Sequence, residues 1–339
     1  MRNLSMDALC EKIGNAVSKQ AISKYEKGES LPGSQILILL SQALDVKPDY
    51  FFRESQFAIS NIEFRKKAKM GVKEVEAIKE EIRDIIERYL EIEDVWGCVP
   101  SFANPVKEML VVSDDDVCEV VKRLKEAWNI GEDGILSVTD LLESKNIKVV
   151  EIKADSSFDG LSGYVNNDEN MPFIVVNKSF DVERLRFTGL HELGHIVMNM
   201  PEEMEKKDKE RLCHLFASEM LISRDTFVDV LGERRSDISL QELKVLQAVY
   251  GISVDALMFK AKTVGVISES KYTSFCIRKN KSLAFKDAVE RSSYRGVEES
   301  SRFDRLVYRA LASDMISCSK AAVLLNEPME EVKNKLELV

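Results

Sequence analysis

Apolar residues recur at steps of three and four along most of this chain, the spacing that gives a helix one apolar face. The longest run is Val75, Ile78, Ile82, Ile85, Ile86, Tyr89, Ile92 and Val95, which predicts a helix of about 24 residues over 73–96. Shorter runs before it predict helices over 6–13, 18–27 and 35–44 and a last one starting at Lys47 or Pro48, with Gly14, Gly28, Pro32 and Gly33 between them. Helices over 114–128 and 137–144 follow, the first opened by three Asp residues that suit the positive end of a helix dipole. The period then drops to two. Residues 148–152, 160–165 and 173–177 read as strands, Asn166-Asn167-Asp168 turns between the last two, and 59–64 alternates in the same way. Helices return over 181–200, ended by Pro201, and over 206–222. Beyond residue 223 the pattern predicts helices over 240–250 and 254–264, a strand over 272–279, and a helix pair over 302–313 and 318–325. The expected fold is α+β, mostly helical. A helix-turn-helix bundle over 1–56 leads through a strand and helical linker over 57–105 to a core with a small sheet over 106–235. A helical region over 236–339 ends the chain.

Composition narrows the class. At 339 residues the chain is long for one core, so two or three domains are expected. With 45% hydrophobic and 31% charged residues it reads as globular, and no apolar run reaches the length of a membrane span, so no membrane partner is expected. The N-terminus lacks the apolar stretch of a signal peptide, and the cysteines are scattered with no C-x-x-C pair. Reduced thiols in a cytoplasmic protein are the reading. The net charge of −10 excludes broad, non-specific nucleic-acid binding, which needs many cations, but leaves room for a local DNA-reading surface.

The chemistry concentrates in His191-Glu192-Leu193-Gly194-His195, an H-E-x-x-H motif. Positions i and i+4 of a helix lie on one face about 6 Å apart, within reach of one metal ion. Glu192 sits one residue round, placed to accept a proton from a water activated by Zn²⁺. The flanking Phe187, Leu190, Ile196, Val197 and Met198 bury the helix, so its polar side chains need partners, and two of the chain's three histidines are here. A third ligand must come from elsewhere. On the following helix Glu219 lies on the apolar face with Leu212, Leu215 and Phe216, while His214, about 140° away, is a rival and Cys213 a weaker one. Residues 186–223, with RFTGLHELGHIVMN and LCHLFASEMLIS, resemble the ImmA/IrrE family of zinc metallopeptidases. The resemblance implies a zincin-like domain with His191, His195 and Glu219 as Zn²⁺ ligands and Glu192 as catalytic base. Strand 160–164 is the expected edge for a substrate backbone, and Tyr164 is a candidate donor to the developing oxyanion.

Residues 4–52 resemble an XRE/Cro-type helix-turn-helix domain, through Ser18-Lys-Gln-Ala-Ile-Ser-Lys-Tyr-Glu-Lys-Gly28, Pro32 and the apolar helix after it. The match makes residues 18–25 the recognition helix. Ala21 and Ile22 face the core, and Lys19, Gln20, Ser23 and Lys24 are offered to DNA. Two features depart from the family. Only three residues stand before Leu4, where a whole helix is usual, and residues 1–54 hold seven basic and seven acidic side chains, a neutral balance for a DNA reader. The basic cluster at 65–69 reads as a solvated linker. Residues 317–332 look like a second helix-turn-helix, though the acidic tail argues against DNA there. The long helix over 73–96 suits a spacer or a homodimer contact.

Two functions are therefore expected. One is a zinc endopeptidase that cuts a protein substrate, a helix-turn-helix repressor in a stress or mobile-element response. The other is a DNA-binding regulator or antitoxin whose metal domain senses or scaffolds, with operator DNA as partner.

Overall fold

The computed structural model describes residues 4–44, 46, 48–52, 59–60, 71–97, 100–166 and 168–336. The rest of the strand expected over 59–64, the basic cluster at 65–69, Lys47, Cys98, Asn167 and the last three residues lie outside them. The chain divides into two compact units, one of residues 1–58, 68–99 and 303–339, the other of 59–67 and 100–302.

In the first unit α1 (Met6–Lys12), α2 (Lys19–Glu26) and α3 (Ser34–Leu44) are followed by a 3-10 turn, Pro48–Phe52. Ser5 and Ser18 cap the first two helices, their hydroxyls accepting from the N–H groups of Ala8 and Ala21. Leu9, Cys10, Ile13, Ile22, Leu40 and Ala43 form the shared core. After the two-residue β1 (Ile59–Ser60), which belongs to the other unit, α4 (Val72–Val95) fills the long periodic stretch. Its stripe residues Ile82, Ile86, Tyr89 and Ile92 are all buried within this one chain, so the stripe does not call for a second copy.

The second unit carries α5 (Asp114–Trp128), α6 (Val138–Ser144), β2 (Lys148–Ile152), β3 (Gly160–Val165), β4 (Pro172–Asn177), α7 (Val182–Val197) and α8 (Lys206–Leu221). It continues through α9 (Arg224–Leu231), α10 (Leu240–Tyr250), α11 (Val254–Thr263), α12 (Glu269–Lys281) and α13 (Leu283–Glu290). The sheet order is β1-β3-β4-β2, with β2 parallel and β3 antiparallel to β4. β4 is buried at every position, which accounts for its unbroken apolar run. β1 pairs only with Tyr164 and Val165, so residues 160–163 of β3 have a strand on one side only among the described residues. Among the described residues the expected substrate edge thus has a neighbouring strand at Tyr164 and none along residues 160–163.

One core runs from Phe102 through α10 and α11 to Val289, past residue 235, where the hydrophobic pattern alone placed a boundary. The strand expected over 272–279 is part of α12 instead. Its β-branched and aromatic residues mimic a strand, but Ser268 caps a helix there, and only Phe275 of that helix is fully buried. The short helices α9 and α13 went unread. The first unit closes with α14 (Arg302–Ala312), α15 (Cys318–Leu324) and α16 (Met329–Lys335). Trp96 Nε1 donates to the Leu306 carbonyl at 3.2 Å and Arg88 to that of Leu324 at 2.6 Å, tying α4 to this end of the chain.

Between α13 and α14, residues 292–301 form an extended strap with alternate residues turned inward. Ser292 donates to Glu183 and Ser300 to Glu143. Tyr294 and Glu298 meet Arg186 of α7, which is 0% exposed. Arg186 also donates to the carbonyls of Ile135 at 2.6 Å and Tyr250 at 3.3 Å. A Cβ on Gly251, whose φ is +58°, would lie 2.4 Å from Arg186 Nε, so glycine is needed there for both backbone and space. Glu298 in turn accepts from the N–H groups of Val138 and Thr139 at 2.9 and 2.8 Å, capping α6. Breaking such a buried pair costs about 3–5 kcal/mol, because the surviving charge stays buried. Glu298→Ala should therefore lower the denaturant midpoint of this unit sharply. Glu169→Ala, which breaks the exposed Lys107–Glu169 pair, should leave the midpoint where it is.

Candidate metal centre

Asp181 caps α7 by accepting from the Arg184 N–H at 3.0 Å, and the helix ends at Val197 because Met198 turns extended, three residues before Pro201. The motif residues sit in its last two turns. His191 and Glu192 are buried, His195 is partly so, and the two imidazole rings stand 5.1 Å apart between centroids. Helix α8 packs against α7 and brings Glu210, whose Oε2 lies 3.5 Å from His191 Nε2. One ligand atom from each of His191, His195 and Glu210 lies within 4.8 Å of the other two. Donors about 2.1 Å from one tetrahedral ion are roughly 3.4 Å apart, so this His-His-carboxylate set fits a single metal ion with little adjustment. His191 and Glu210 face a cavity of about 500 Å³ together with Glu192, His214 and Phe187. Glu192, 3% exposed, accepts a hydrogen bond from Ser162 Oγ of β3 at 2.9 Å.

Glu219 is not in this group. It lies nine residues beyond Glu210 on the same helix, two and a half turns, and so faces the opposite way. There it pairs with Lys260 of α11, the two side chains 5% and 3% exposed, and accepts from the Arg224 N–H at 2.7 Å. Burial on the apolar face was the right observation, and an ion pair rather than a metal satisfies the carboxylate. A lone Lys on the apolar face of α11, beside Leu257 and Ala261, was the readable signal for that partner. Burial pushes the Lys260 ammonium below its usual pKa, against the pull of Glu219. It also pushes the nearby Cys118 thiol up to about 11, so that sulfur stays protonated at neutral pH. Glu210 was missed because it sits in the charged stretch at 205–211, which reads as a solvated face.

His214 stands one turn after Glu210 on the cavity side. Its Nδ1 donates to the Glu210 carbonyl at 2.7 Å, and its ring lies 4.4 Å from that of His191. It lines the cavity without joining the three clustered ligand atoms. Cys213 is buried in the core. Tyr164 donates from its hydroxyl to the Ile196 carbonyl at 3.5 Å, and burial raises its pKa. In the first unit Lys19, Gln20 and Lys24 are exposed on α2, Ser23 is partly so, and Ile22 is buried. Lys19 pairs with Asp7 at 2.6 Å, an exposed contact that DNA can displace.

Comparison with known proteins agrees with this layout. Residues 1–51 match the helix-turn-helix family model, and residues 142–262 match that of the IrrE N-terminal-like domain, of the M78 peptidases. The chain thus joins an XRE-type helix-turn-helix domain to an ImmA/IrrE-like domain. It is 45% identical over 53 residues to an uncharacterized HTH-type transcriptional regulator, y4aM, of Sinorhizobium fredii. That match covers 16% of this chain, which spans about a third (36%) of that relative. No helix among the described residues is long and apolar enough to cross a membrane.

The two glutamates of α8 should separate cleanly on substitution. Glu210→Ala should lose bound metal, measured by atomic emission, while the metal-free protein keeps its unfolding midpoint. Glu219→Ala should keep metal at one per chain yet lose about 3–5 kcal/mol of stability, since Lys260 is left buried and alone.

Proposed function

We propose that this protein is a zinc-dependent endopeptidase that cleaves or controls a helix-turn-helix repressor, acting in the cytoplasm on partners its own helix-turn-helix domain helps it find. The observation that supports it most is a separate buried carboxylate, Glu192, beside a His-His-carboxylate set, with Glu192, His191 and Glu210 lining one cavity. A scaffold has no use for that fourth group. In this reading His191, His195 and Glu210 hold the ion. Zinc, when bound, supplies a Lewis acid that polarises a carbonyl and makes water acidic near neutral pH. Glu192 accepts the proton of the attacking water and passes it to the leaving amine. Residues 160–163 of β3 offer backbone groups to an extended substrate, and the apolar ring of Phe187 lines the cavity beside them.

A second reading, a DNA-binding regulator whose metal domain is a sensor or scaffold, draws on the likeness to a transcriptional regulator. Two experiments separate them. Glu192→Gln keeps size and metal, and should slow cleavage of a co-expressed repressor encoded beside this gene by about 10²–10⁴-fold while zinc stays at one per chain. Wild-type cells that never cleave the repressor, with Glu192→Gln cells regulating normally, would leave only the second reading. Lys19→Ala/Lys24→Ala should weaken a gel shift on the chain's own promoter region and flatten its salt dependence by about two phosphate contacts. Equal binding by the double variant would remove α2 as the DNA-reading helix.

A further inference from the structure

Strand β3 lies along helix α7 with its alternate residues opposite every fourth residue of the helix. Gly160 faces Thr188, Ser162 faces Glu192, and Tyr164 faces Ile196. Two strand residues advance about 6.6 Å and four helix residues about 6.0 Å, so the three rungs stay in step. The first rung sets the spacing. A Cβ on Gly160 would stand 2.6 Å from Thr188 Cγ2 and equally close to the Val175 carbonyl, so any side chain there would push the strand off the helix. The third rung is the Tyr164 hydroxyl on the Ile196 carbonyl. The middle rung joins two side chains by a hydrogen bond, Ser162 Oγ to Glu192 Oε2 at 2.9 Å.

We propose that Ser162 is the positioning residue of Glu192, holding the carboxylate at the angle from which it takes a proton. The proposal rests on the reading of Glu192 as the base. A glutamate reaches its carboxylate through three torsions, the last of them broad, and burial alone leaves that last one loose. A hydroxyl donated from a strand locked on both sides of the contact fixes it. Among the described residues the same strand has no neighbour on its outer side along residues 160–163, so a substrate segment added there would be registered by the element that orients the base. Bond-making group and substrate then share one frame.

The test uses the full chain loaded with zinc, comparing wild type, Ser162→Ala, Ser162→Thr and Glu192→Gln. Zinc content and thermal midpoint are read first, then kcat and KM on β-casein, then the affinity of acetohydroxamate, which binds the metal and leaves its proton with the neighbouring carboxylate. Ser162→Ala should keep zinc, midpoint and KM and lose about tenfold in kcat, the worth of one hydrogen bond realised in the transition state. Ser162→Thr should recover most of that loss, and acetohydroxamate should bind more weakly to both Ser162→Ala and Glu192→Gln. Wild-type kcat and acetohydroxamate affinity in Ser162→Ala would overturn the proposal. So would a fall in zinc content or midpoint that Ser162→Thr fails to restore, which marks a structural serine. Wild type that leaves both β-casein and the co-expressed repressor intact, with acetohydroxamate still weakened by Ser162→Ala, would sink the peptidase reading and keep Ser162 as the residue that sets Glu192.

Discussion

Helix α7 is buried on most of its surface and yet carries Glu183, Arg186, His191 and Glu192 among its buried residues. A buried ionisable group without a partner costs far more than any single apolar contact returns, so each of these has to be met. Four elements between them meet these groups. Gln247 of α10 and Ser292 of the strap reach Glu183, and Glu298 and Tyr294 of the strap reach Arg186. Ser162 of β3 reaches Glu192, and Glu210 of α8 reaches His191. The surroundings of the motif are thus largely determined by the polar needs of one helix. Two of the elements that satisfy those needs, β3 and α8, also line the cavity.

A second buried pair, Glu219–Lys260, does for α8 and α11 what Arg186–Glu298 does for α6 and α7. Neither is strong evidence for net stability, since apolar replacements of equal shape often do as well. Their effect is on specificity of packing. A helix whose one buried charge has one partner can dock in one rotation only, and the rotation that gives Glu219 to Lys260 also points Glu210 at the histidines. The two and a half turns between residues 210 and 219 make the ion pair and the candidate metal set two consequences of a single orientation.

The local patterns were legible wherever caps or alternation mark the ends of an element. α5, β2, β3 and α10 begin and end where the pattern places them, and α7 is shorter only because Met198 leaves the helix before the proline. The residues of α12 misled because Tyr272, Thr273 and Ile277 favour strands locally, while its place among α11 and α13 is a tertiary matter. At the site, His191, Glu192 and His195 are fixed by helix geometry within five residues, so spacing alone brings them together. The third carboxylate depends on which face of another helix is turned inward. Buried Glu219 and half-exposed Glu210 exchange roles once Lys260 is in view, and Lys260 lies 41 residues further on. Ser162 is beyond the reach of spacing for the same reason, being 30 residues from its partner.

The strap also orders events in time. A ribosome delivers α7 more than a hundred residues before it delivers Glu298, which lies 112 residues beyond Arg186. Until then the guanidinium that must end up dry has only carbonyls to meet, and α6 lacks its cap. The nascent unit can gather its sheet and helices early, as chains do when they fold from the N-terminus, but its final closure waits for translation to pass residue 300. A chain stopped at residue 262, where the family likeness ends, would hold every residue of the candidate metal set and the proposed base and still lack the counter-ion of its central helix. For this molecule the shortest piece that contains the candidate site leaves the central helix without its counter-ion.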